Sequence, residues 1–121
     1  MSYTEEQLQI ADQVIPRVTL ANFTDDSNHK VMIDVRQHPE LLASGTIEGA
    51  MHVPKGVIEF KLGNLDEVDE ETSIYVFCAV GVRSALAGYN LHKIGYKKVY
   101  NLVGLSDIVE QGGKLIEFKS N

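Results

Sequence analysis

The segment Ile74, Tyr75, Val76, Phe77, Cys78, Ala79, Val80, Gly81, Val82, Arg83, Ser84 passes from an apolar run through a glycine-bearing loop into a helical pattern. Its first four residues are β-branched or aromatic and too few for a helix, the make-up of a buried strand. From Ser84 to Ile94 the spacing predicts a helix, with Ala87, Leu91 and Ile94 on one face and Gly95 as a left-handed stop. Cys78, the only cysteine in the chain, sits at the junction. A thiol at the carboxyl end of a strand, just before a helix, lies where backbone N–H groups and the helix dipole converge, and both favour thiolate. An unperturbed thiol with a pKa near ~8.5 is only about 3% ionised at pH 7, and a drop of ~2 units makes most of it reactive. The competing expectation is a buried, inert cysteine, the commoner fate of a lone one.

Outward from this segment, Val31 to Ile33 and Met51 to Val53 have the same strand character, Val99 to Leu102 is a fourth candidate, and Arg17 to Thr19 a weaker one at an edge. Helices are expected over Glu5–Ile15, Leu20–Asp25, Pro39–Ala43 and Val57–Leu62, with a last one from Ser106 toward Gly112. Strands alternating with helices predict an α/β fold in three layers, a central, mostly parallel sheet with helices on both faces. Ligands bind such sheets beyond the carboxyl ends of the strands. Cys78 falls at one such end, and Asp34 with Arg36 falls at another.

At 121 residues and 44% apolar content, the chain is expected to be one domain, 1–121, with an N-terminal helical extension at about 4–15. One cysteine allows no intramolecular disulfide and suits a reducing compartment. The first residues lack a basic region and an apolar signal core, and no apolar stretch is long enough to span a bilayer, so a cytoplasmic protein without membrane contact is expected. A net charge of −6 argues against nucleic-acid binding, which needs basic surface to displace counterions from phosphates. The acidic cluster Asp66, Glu67, Asp69, Glu70, Glu71 reads as a solvated connection before a strand. His29, His38, His52 and His92 are scattered without ligand spacing, so no metal site is expected, and no glycine pattern for binding nucleotides is present.

Two separated motifs resemble single-domain rhodaneses, the thiosulfate or persulfide sulfurtransferases. The first is Asp34, Val35, Arg36, then Glu40, Gly45, Ile47, Gly49, Ala50, Val53 and Pro54; the second is the loop Cys78 to Ser84, followed by Gly95, Tyr96, Val99, Leu102 and Gly104. Together they cover roughly Pro16 to Gly113. Thr46 stands where that family usually has His, His52 where Asn is common, and Leu105 and Val109 where a second Gly and a Trp usually close the domain. Ala79 and Val80 are apolar where many thiosulfate-using members carry Arg or Lys.

The resemblance implies that Cys78 accepts a sulfane sulfur as a persulfide and that the N–H groups from Ala79 through Val80, Gly81, Val82 and Arg83 to Ser84 cradle it. Arg83 would help to hold an anionic donor, Gly81 would permit the loop's backbone, and Ser84 would either donate to the sulfur or cap the helix. Asp34 and Arg36 would either touch substrate or form a local pair beneath the rim. The implied activity moves a sulfane sulfur from thiosulfate or a persulfide donor to cyanide or a thiol acceptor, with no cofactor. A protein sulfur acceptor is the further partner of the alternative reading, a sulfur-relay or partner-binding module with little small-molecule turnover. A second alternative, a phosphatase or arsenate reductase on a related fold, needs Cys, five intervening residues, then Arg. Here Arg83 follows after four, and Ser84 takes that place.

Overall fold

The computed structural model describes residues 2–119. Among these, the strands are β1 (Lys30–Asp34), β2 (Thr46–Ile47), β3 (Ala50–His52), β4 (Ser73–Cys78), β5 (Lys98–Gly104) and β6 (Leu115–Ile116). The helices are α1 (Tyr3–Val14), α2 (Leu20–Asp25), α3 (His38–Ser44), α4 (Ile58–Gly63), α5 (Val82–Lys93) and α6 (Leu105–Glu110). Four strands make one parallel sheet in the order β3-β1-β4-β5, while β2 and β6 pair antiparallel apart from it. Parallel neighbours need crossovers. Here α3, α4 and α5 lie in the connections β1 to β3, β3 to β4 and β4 to β5.

The sheet divides the core by the two-residue alternation of its strands. Ile74, Val76 and Cys78 of β4 pack with Ile15, Ile58, Leu62, Ala87 and Leu91 on the face covered by α1, α4 and α5. Tyr75 and Phe77 point the other way, onto Ile108 of α6, Ile47 of β2, and Leu20 and Phe23 of α2. Every residue of β4 is buried, as expected of a strand covered on both faces. The three-layer α/β architecture expected from the alternating pattern is the one found.

The differences from expectation have local causes. The edge strand over Arg17–Thr19 shrinks to one parallel bridge between Arg17 and Asn101, because Pro16 precedes it and α2 begins at Leu20. Helix α5 starts at Val82, two residues early, with Gly81 as its N-cap. Ser84 is therefore inside the first turn and does not cap the helix. Ile94 is 56% exposed instead of sharing the buried face of Ala87 and Leu91, since the helix ends at Lys93 and Ile94 lies past it. The β2–β6 pair has no counterpart among the expected strands, because two-residue strands carry too little pattern to register. No helix among the described residues is long and apolar enough to cross a membrane.

Candidate functional site

Strand order places a switch point between β1 and β4: the chain leaves β1 for β3 on one side, then returns to β4 on the other. Crevices open beyond the carboxyl ends of strands at such points. Asp34 ends β1 and Cys78 ends β4, so the topology brings both to this rim.

Cys78 is 1% exposed, yet its sulfur is the focus of several donors. The Gly81 amide donates to Sγ at 3.0 Å, and Ser84 Oγ lies 3.4 Å from it. Burial, the largest single influence on the thiol, opposes ionisation. The Ser84 hydroxyl and the amides of Ser84, Gly81 and Val80 together outweigh it and hold Cys78 below the ordinary thiol value. The first-turn amides of α5 have no intrahelical acceptor, so the same helix end has N–H capacity beyond the resting sulfur.

The loop takes this shape because Gly81 sits at φ 95°, left-handed, and because a side chain there has no room: a Cβ would lie 2.8 Å from Val103 Cγ1. Beneath it β5 carries a bulge. Val76 faces Asn101 but Phe77 faces Val103, leaving Leu102 as the extra residue. Val103 adopts φ 77°, a conformation that costs a β-branched residue energy and that surrounding structure must impose. Asn101 imposes it. Its buried side chain accepts from the Val103 amide at 2.9 Å and from Ser84 Oγ at 2.7 Å, and donates to the Gly81 carbonyl at 3.1 Å. One amide thus ties bulge, loop and helix together under the sulfur. The sequence marks Asn101 only as one residue of a strand candidate; the signal it carries is an amide inside an apolar run, which must find partners once buried.

Arg83 does not stand free over the sulfur. Its guanidinium meets Glu40 of α3 fork to fork, Nη1 to Oε2 at 2.8 Å and Nη2 to Oε1 at 3.0 Å. The pairing raises Arg83 and lowers Glu40 relative to their ordinary values. Ala79, Val80 and Val82 are exposed, Val80 by 71%, so the outer lip of the loop is apolar.

Asp34 and Arg36 are 0% and 3% exposed and partner each other. Arg36 donates to Asp34 through Nε and, at 2.8 Å, through Nη2; it also donates to Ser44 Oγ through Nη1 and to the Gly45 carbonyl through Nη2. Thr46, in place of the family's usual His, donates to Asp34 Oδ2 at 2.8 Å, and His52 Nε2 lies 2.8 Å from the Arg36 carbonyl oxygen. The cluster braces β1, α3 and β2 under the rim. The histidines are less scattered than the sequence suggests: His38 and His52 rings lie 6.2 Å apart, each packed edge-on to Phe118. Among the described residues no group of three or more His, Cys, Asp or Glu is placed to hold a metal ion.

A family model described as the rhodanese-like domain matches residues 18–106. The chain is 37% identical over 97 residues to the "Putative sulfur carrier protein YrkF" of Bacillus subtilis, covering 77% of this chain and 50% of that protein. It spans 50% and 58% of the length of two of the curated relatives it matches. Among solved structures, the polysulfide-sulfur transferase homodimer of Wolinella succinogenes superposes with TM-score 0.73 at 26% identity, over 97% of this chain and 89% of that one. A Rhodopseudomonas palustris protein of unknown function, described as a "Possible Tyrosine Phosphatase", superposes with TM-score 0.79 over 96% of each chain; at 23% identity this likeness shows the fold alone. The family match spans both the Asp34 corner and the Cys78 loop, and the chain belongs to the rhodanese-like domain family.

Proposed function

We propose that this protein is a sulfurtransferase that carries a sulfane sulfur on Cys78, taking it from thiosulfate or a persulfide and passing it to cyanide or a thiol. The observation that carries this reading is the sulfur of Cys78 held under the Gly81 amide at 3.0 Å, beside Ser84 and at the amino end of α5. In the first half-reaction the Cys78 thiolate attacks the outer sulfur of the donor. A Cys78–sulfur bond forms, the donor's own S–S bond breaks, and sulfite or a thiolate leaves with the electron pair. In the second half, cyanide or a thiolate attacks the outer sulfur of the Cys78 persulfide, and the Cys78 thiolate departs as it began. The amides near the sulfur stabilise negative charge on whichever sulfur bears it, so the loop serves both halves. A reducing, cytoplasmic setting suits a free Cys78.

The name of the Bacillus relative and the exposed Val80 at the lip favour a second reading, in which the acceptor is another protein's thiol. Slow turnover with small acceptors but fast transfer to one protein would identify it. A phosphatase reading is weaker: the loop is one residue short for a Cys, five residues, Arg cup, and Arg83 is engaged by Glu40.

Incubation with thiosulfate, and separately with a low-molecular-weight persulfide, followed by intact mass, tests the proposal. One added sulfur that cyanide or thiol removes, and that Cys78→Ser abolishes, is the expected result. No addition from either donor, or addition that survives in Cys78→Ser, would overturn it.

A further inference from the structure

Resting on the sulfurtransferase reading, we infer that Glu40 is a specificity-determining residue: by engaging both Nη groups of Arg83 it neutralises the only cation of the Cys78 loop and turns the site against doubly charged donors. Arg83 is the one Lys or Arg between Cys78 and Ser84, and each of its Nη nitrogens donates one hydrogen to Glu40, at 2.8 and 3.0 Å. Three N–H groups of Arg83 remain, but a dianion such as thiosulfate that reached them would lie against the Glu40 carboxylate and meet a guanidinium whose charge is already balanced. The remainder of the lip, Ala79, Val80 and Val82, offers exposed apolar surface and no charge, and the chain as a whole carries −6. Arg83 already lies near enough to Cys78 for the thiolate to act on it, so removing the Glu40 charge would leave the guanidinium charge beside the sulfur uncompensated. A persulfide with an uncharged body makes no demand on Arg83 and gains from contact with Val80 and Val82. The built-in preference is therefore for a persulfide of low charge over an inorganic dianion.

The pair is open to test without unfolding the protein. The Arg83 and Glu40 side chains are 33% and 38% exposed, in the range where an ion pair adds little to stability. Glu40 also accepts from the Gln37 amide at 2.8 Å as part of the α3 cap, and the carbonyl oxygen of a glutamine can keep that bond.

The experiment compares wild type and Glu40→Gln, measuring by intact mass the rate of sulfur addition to Cys78 from thiosulfate and from the persulfide of N-acetylcysteine methyl ester, whose only charge is the persulfide itself. The thiosulfate-to-persulfide rate ratio is expected to rise about tenfold in the variant, the scale on which one uncompensated charge at a cleft changes capture of an ion. Added salt should depress the variant's thiosulfate rate, since the new attraction is screened, while leaving the wild type nearly flat. An unchanged or lower ratio in Glu40→Gln, with wild type still accepting sulfur, overturns the assignment of Glu40 alone. Failure of wild type to take sulfur from either donor removes the sulfurtransferase reading and this inference with it.

Discussion

Ser84 Oγ stands 2.7 Å from Asn101 Oδ1 and 3.4 Å from Cys78 Sγ. A hydroxyl has one proton to give, so it cannot serve both acceptors at once. With Cys78 protonated, the thiol donates to the Ser84 oxygen and Ser84 donates to Asn101. With Cys78 ionised, a hydroxyl turned to the sulfur leaves Ser84 Oγ and Asn101 Oδ1 without a proton between them, so the two oxygens must draw apart from 2.7 Å, while Asn101 Oδ1 keeps the Val103 amide. The sulfur's charge state is thereby linked to a buried amide on the neighbouring strand.

Ser84→Ala removes one of the donors that hold the Cys78 thiol down. Burial pushes this thiol up, and the Ser84 hydroxyl with the Ser84, Gly81 and Val80 amides outweighs it. Less opposition to burial moves the titration to higher pH, so less thiolate is present at neutral pH. The pH profile of iodoacetamide labelling, wild type against variant, checks this: the variant's profile should lie to the alkaline side, and coincident profiles would count against the hydroxyl. Because a depressed folded value adds stability above the unfolded pKa and loses it as pH falls through the folded one, the same variant should gain less stability on going to alkaline pH.

Asn101→Ala strips partners from Ser84, the Val103 amide and the Gly81 carbonyl together. Each buried polar group left unpaired costs about 1–3 kcal/mol, and water entering the gap recovers part of the total, so a loss of about 2–4 kcal/mol is expected. Urea unfolding should show a lower midpoint with an unchanged slope. Sulfur uptake at Cys78 should fall as well, because the loop is no longer tied to the strand beneath it.

The layers of this fold were legible because β4 alternates Ile74, Val76 and Cys78 against Tyr75 and Phe77 while helical spacing fills the connections. The nucleophile candidate was legible for a related reason: an abrupt change from strand composition to Gly81 and a helix marks a strand end. Partnerships across the rim were not. Glu40 and Arg83 are 43 residues apart, and Ser84 and Asn101 are 17 apart; both pairings exist only because β1, β4 and β5 lie side by side. The bulge at Leu102 is invisible in composition, since a slip in pairing leaves the run Val99 to Val103 looking like any strand.

Asp34→Ala tests whether the acidic end of β1 braces the fold or meets substrate. The carboxylate is fully buried and accepts from Arg36 and Thr46, so its removal leaves the Arg36 guanidinium buried with its main counter-charge gone. Losing one partner of such a pair costs about 3–5 kcal/mol. A drop of that size in denaturant stability is expected. Near-wild-type stability with loss of sulfur uptake would instead make Asp34 a substrate contact.

Val103 offers a test in which the usual ranking of two small residues should reverse. In an ordinary strand interior, Gly is less stable than Ala by about 0.5–1 kcal/mol because it loses more backbone freedom on folding. At φ 77° an alanine keeps the steric cost of the left-handed conformation, about 1–2 kcal/mol, and glycine does not. Both substitutions lose the Val103 γ-methyl groups, so the two differ only by Cβ and the backbone freedom it restricts. Val103→Gly should therefore be more stable than Val103→Ala by up to about 1 kcal/mol in urea or thermal unfolding. The ordinary order, with Ala above Gly, would mean that the residue is not held in that conformation, and the platform under Gly81 and the Cys78 loop would need a different support.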